Sequence, residues 1–91
     1  MLADLAHDPF FQCGCLGYGL RVMAHWREPH GYFASLEIRD DWRRGGQIIR
    51  MEIFDVMFRN ADVAMQCALE RGLLVANILR TEQLLAEIID A

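Results

Sequence analysis

The sequence predicts an α+β fold: a three-stranded antiparallel β-meander packed on one helix, with a short C-terminal helix. Three observations carry this. Period-two alternation runs on both sides of a Pro-x-Gly turn, a third strand is apolar on both its faces, and an Asn suited to capping precedes an alanine-lined helical stripe. The chain reads as a single domain over residues 1–91. It divides into an N-terminal arm (1–16), a β-β-β-α core (17–79) and a C-terminal helix (80–91).

In the arm, Leu2, Leu5 and Ala6 have helical spacing, and Pro9 ends whatever helix they form. Phe10 and Phe11 offer two rings to the core. Cys13-Gly14-Cys15-Leu16-Gly17 is too rich in glycine to predict a strand. From Tyr18 the pattern turns to β: Leu20, Val22, Ala24 and Trp26 share one face, while Arg21, Met23, His25 and Arg27 share the other. Glu28-Pro29-His30-Gly31 supplies the turn, Pro fixing φ and Gly accepting positive φ. The next strand spans 32–39, with Ala34, Leu36 and Ile38 on one face.

After the charged turn of residues 40–46, a third strand runs from about Gln47 to Phe54, extending irregularly towards Phe58. Ile49, Met51 and Ile53 lie on one side, with Ile48 and Phe54 on the other beside an Arg50–Glu52 pair. Apolar character on both sides predicts burial on both sides. A sheet with one helix layer therefore needs a second cover.

Asn60 is the expected N-cap, and Asp62 stands in the first turn where the helix dipole favours an anion. At 100° per residue, Ala61, Ala64, Ala68 and Gly72 form a narrow stripe flanked by Met65, Cys67, Val75, Ala76, Ile78 and Leu79. The helix is expected to continue through Gly72 to about Leu79. Leu84, Leu85, Ile88 and Ile89 then fall out of phase with the stripe, and Thr81 is placed to cap a separate helix over 82–90.

The chain carries 54% hydrophobic residues. Exchanging Tyr for Gly in the count gives about 59%, against about 45–50% in ordinary domains. A short chain has little interior in which to hide that excess, so some of it is expected to meet a second chain. Net charge is −4 and every basic residue is Arg, a balance that argues against tracking of nucleic-acid phosphates. The N-terminus lacks the basic region of a secretory signal, no apolar run is long enough to span a membrane, and three Cys imply no disulfide framework; a reducing cytoplasm is expected.

Chemistry-bearing residues are few. Cys13, Cys15 and Cys67 with His7, His25 and His30 lack the paired spacing of a zinc site. A Cys–His nucleophile has no supporting motif, and Cys67 on the apolar flank of the helix reads as an inert thiol. The Asp40-Asp41 pair sits in a solvated loop with arginines. No catalytic residue, metal ligand or cofactor is therefore assigned. The candidate interaction surface is Trp42, Arg43 and Arg44, residue types enriched in binding hot spots; Ile48 and Phe54 on the third strand; and Leu84, Leu85, Ile88 and Ile89 at the C-terminus.

Residues 17–79 resemble a group of small uncharacterised bacterial β-β-β-α domains. The resemblance rests on Gly17-Tyr18-Gly19-Leu20, on Gly31-Tyr32-Phe33-Ala34-Ser35-Leu36, and on a helix running from Phe58 through Ala64, Ala68 and Gly72. It implies no activity. A looser resemblance is to HicB-type antitoxins, which also open with a Gly-Tyr strand pair and close with an Ala-rich helix. The element order is also similar to the double-stranded-RNA-binding fold, but Asn60-Ala61-Asp62 stands where that fold begins its second helix with lysines. The function expected is a non-enzymatic protein-interaction module able to self-associate, with a protein partner or a second copy and no membrane. The alternative is an antitoxin-like or nucleic-acid-linked regulator.

Overall fold

The computed structural model describes residues 8–29, 31–41 and 45–90. Four strands form one antiparallel meander in the order β1-β2-β3-β4: β1 Phe10–Cys15, β2 Tyr18–Arg27, β3 Gly31–Asp40 and β4 Ile48–Phe58. A single helix, α1, follows over Ala61–Asp90 and packs on β2 and β3. Among the described residues no element covers the other face of the sheet.

The fold class is as expected, but the strand count is not. Residues 10–15, assigned above to the arm, are an edge strand paired with β2 from Phe10↔Met23 to Cys15↔Tyr18. Leu16-Gly17 closes this hairpin with φ of 54° and 90°. Positive φ at both central residues suits a tight hairpin turn, which Asn or Asp usually opens. Leu in that position concealed the turn. The backbone N–H of Ala24 also donates to the Pro9 carbonyl at 3.1 Å, so the chain meets the sheet before β1 begins.

The β2–β3 hairpin follows the expected alternation. Leu20, Val22 and Ala24 of β2 face Ala34, Leu36 and Ile38 of β3, all buried beneath the helix. Trp26, expected in that row, lies exposed at the end of the ladder, edge-on to Tyr32 at 5.2 Å.

In β4 only part of the two-sided reading holds. Glu52 and Phe54 are partly covered on the helix side, and Phe54 packs against the core. Met51 and Ile53 pair with Glu37 and Ser35 on the outer face and stand 63% and 68% exposed. The expected burial on both sides therefore does not occur within this chain. A register shift between Ile38↔Arg50 and Arg39↔Ile48 takes Ile48 out of the row that holds Phe54.

Helix α1 begins as expected. The Asn60 side-chain oxygen accepts from the Asp62 N–H at 2.7 Å and more weakly from Val63 at 3.4 Å. It does not end near Leu79, and Thr81 caps nothing. The helix runs unbroken for 30 residues. Its inner stripe of Ala64, Ala68 and Ala76 is fully buried. At Gly72 a Cβ would lie 2.9 Å from Leu36 Cδ1 and 3.3 Å from Leu20 Cδ1, so only glycine lets the axis come this near. Ala68→Leu is expected to overpack the contact and cost about 1–3 kcal/mol. Chemical denaturation measures the loss; unchanged stability would contradict this packing.

Candidate functional site

Two polar clusters and two apolar surfaces stand out. The first cluster joins the sheet to the helix. Glu52 of β4 accepts from Arg50 Nε at 2.7 Å and from Arg71 Nε of α1 at 3.0 Å. The Arg50–Glu52 pair follows from i, i+2 spacing along one face of a strand. Arg71 was not foreseen, because its partner lies 19 residues away in the sequence. The Arg71 and Arg50 hydrogen bonds hold the Glu52 carboxyl below its ordinary value of 4.5 against the opposing pull of burial.

A carboxyl so lowered stabilises the fold above its unfolded pKa. That contribution fades as pH falls through the folded value. Glu52→Gln is therefore expected to be less stable at neutral pH by about 1 kcal/mol or less, since the pair is partly solvated. The gap to wild type should narrow as pH falls below the ordinary carboxyl value of 4.5 and close once Glu52 is protonated in the folded chain. Urea denaturation across that range checks it; a gap independent of pH would contradict the pairing.

The second cluster lies on the outer face. His25 Nδ1 is 2.7 Å from Asp8 Oδ2, and His25 Nε2 is 2.7 Å from Ser35 Oγ. The ring stacks on Phe33 at 4.7 Å, and the Arg27 guanidinium covers Phe33 at 4.3 Å. With Asp8 ionised, its oxygens only accept, so Nδ1 carries the ring proton and Nε2 accepts from the Ser35 hydroxyl. Histidine and serine are diagonal neighbours on adjacent strands, and the Asp8 contact closes over them. Sequence reading missed the cluster because its members are 17 and 10 residues apart with no shared motif.

The order Asp–His–Ser is that of a hydrolase relay, but the surroundings differ. Ser35 sits inside a strand paired on both sides, where the ladders occupy the backbone N–H groups. A nucleophilic serine also needs donors aimed at a developing oxyanion. The arrangement instead clasps the chain segment before β1 onto β2 and β3. A fluorophosphonate probe is expected to leave Ser35 unmodified, as read by intact-mass spectrometry. Labelling lost in His25→Ala would contradict the clasp reading.

Among the described residues no three His, Cys, Asp or Glu side chains gather as metal ligands. Burial pushes the Cys13 thiol up, and neighbouring Cys15 adds to the shift, the opposite of what a reactive thiolate needs. Cys67 is exposed rather than set in an apolar flank. Hollows of about 230 Å³ beside Phe11, Met65 and Leu69, and about 510 Å³ between Tyr18, Ile49 and Arg80, lie open at the margins of the helix.

Of the expected interaction residues, Trp42, Arg43 and Arg44 lie outside the described residues. Phe54 belongs to the core margin, and Ile48 is exposed at the start of β4. Leu84, Leu85, Ile88 and Ile89 are all exposed on the last turns of α1, Ile88 at 71% and Ile89 at 79%. The structure does not bring these groups into one patch. It leaves two surfaces: the outer face of β4, and the side of α1 turned away from the sheet. No described helix is long and apolar enough to cross a membrane. Compared with known proteins, the chain matches no family model, no curated protein and no solved structure.

Proposed function

We propose that the chain is a non-enzymatic protein-interaction module that self-associates. One observation carries the reading: its large aliphatic side chains are mostly outside. The buried core holds five alanines, and its largest fully buried side chains are leucine, isoleucine and valine. Met51, Ile53, Leu74, Leu85, Ile88 and Ile89 are each more than half exposed. Isolated exposed aliphatics are ordinary on soluble proteins, but contiguous ones mark association surfaces.

Two features support contact over catalysis. The described hollows are open, and the one relay-like cluster lacks oxyanion donors in its strand setting. A net charge of −4 argues against binding that tracks nucleic-acid phosphates.

Size-exclusion chromatography with light scattering tests the proposal. The expected mass at micromolar concentration is a multiple of the 10.5 kDa chain. A mass of one chain at every concentration up to about 1 mM, far above the range of stable association, would contradict it.

A further inference from the structure

Helix α1 is apolar on two sides, and among the described residues only one of them is packed. The sheet takes the side of Ala64, Ala68, Gly72 and Ala76. The other side carries Cys67, Leu74, Ile78, Thr81, Leu85 and Ile88, every one of them exposed. Their separations are seven, four, three, four and three residues. This alternation of fours and threes is the seam by which two helices lock side chains between one another. A helix facing water with its outer side would carry charge there.

We infer that this seam docks on the same seam of a second copy of the chain, giving a two-fold pair with the helices inside and the sheets outside. The inference rests on the reading of the protein as a self-associating module and names the surface that does it.

Three observations favour a second copy as the occupant. The first is area. Val63, Leu74, Ile78, Leu84, Leu85, Ile88 and Ile89 are each between 43% and 79% exposed, so the apolar surface runs nearly the length of the helix, as an interface of standard size requires. The second is charge. The one charged residue in register with the seam, Arg71, is drawn aside to Glu52 at 3.0 Å, leaving the uncharged centre that interface cores show. The third is geometry. At 1.5 Å per residue α1 is about 45 Å long, whereas ten-residue strands span about 33 Å. The last link from α1 to the sheet is Gln83, which accepts from the Tyr18 hydroxyl at 3.5 Å. Turns beyond that point have nothing among the described residues to pack on, and helices so unsupported fray in water. A two-fold contact covers the projecting turns of both copies, because the patch is its own complement.

The test compares three full-length proteins by light scattering across a concentration series: wild type, the seam variant Leu85→Glu, and the sheet variant Ile53→Glu. Both positions are exposed in the lone chain, so both variants should fold, and circular dichroism checks that they do. Should Leu85→Glu lose helix, the uncharged, helix-compatible Leu85→Gln replaces it. The expected result is a dimer for wild type and for Ile53→Glu, with dimer dissociation raised roughly 30-fold or more in the seam variant. A dimer lost in Ile53→Glu and kept in Leu85→Glu would overturn the seam while leaving self-association standing. A wild-type monomer throughout would overturn both.

Discussion

The close approach of α1 to β2 and β3 is the constraint on which the rest of the structure depends. Ala64, Ala68, Gly72 and Ala76 hold the axis near Leu20 and Leu36, so near that a Cβ at Gly72 would crowd Leu36 at 2.9 Å and press on Leu20 at 3.3 Å. A contact built from small side chains fills its space without large ones. Of the large helix aliphatics, Val75 is fully buried and Leu69 and Leu79 pack partly against the core, while Leu74, Ile78, Leu85 and Ile88 stand exposed on another side. The same packing explains why a chain rich in apolar residues buries so few large ones. Its hydrophobic composition is divided between a thin core and an outer surface.

The sheet shows a matching asymmetry. Its helix side is closed by aliphatic packing and by the Glu52 bracket to Arg71. Its outer side is a mosaic in which polar pairs and aromatic stacking occupy the middle strands, with Met51 and Ile53 bare on β4. Asp8, His25 and Ser35 satisfy one another across that face, and the Arg21 guanidinium lies over the Phe10 ring at 4.6 Å. Polar groups that find partners within the sheet need no second layer, although the buried Arg21 Nε finds no hydrogen-bond partner among the described residues. Among the described residues the outer side of α1 has no such arrangement. That difference makes the helix, more than the sheet, the surface in need of a partner.

Much of the fold was legible in the sequence, because period-two alternation over Leu20–Ala24 and Ala34–Ile38 and the stripe at Ala64, Ala68 and Gly72 report local geometry directly. What escaped were features set by tertiary context. The first strand was hidden by its glycines and by a Leu at positive φ in its turn. The helix appeared to break near Thr81 because the apolar phase changes there. The phase changes because the helix outruns the sheet and its apolar side is no longer the inner one. Cys67 and Ile78, read as flanks of the inner stripe, are exposed. The Asp8–His25–Ser35 clasp and the Arg71 partner of Glu52 join residues that only strand pairing and helix packing bring together, and no spacing in the sequence announces them.

Amide hydrogen exchange over residues 81–89 at high and at low protein concentration addresses the central claim most directly. If the outer side of α1 is covered by a second copy, these amides are protected at high concentration and lose that protection on dilution, while β2 and β3 change little. Rapid exchange across 81–89 at every concentration would contradict the account.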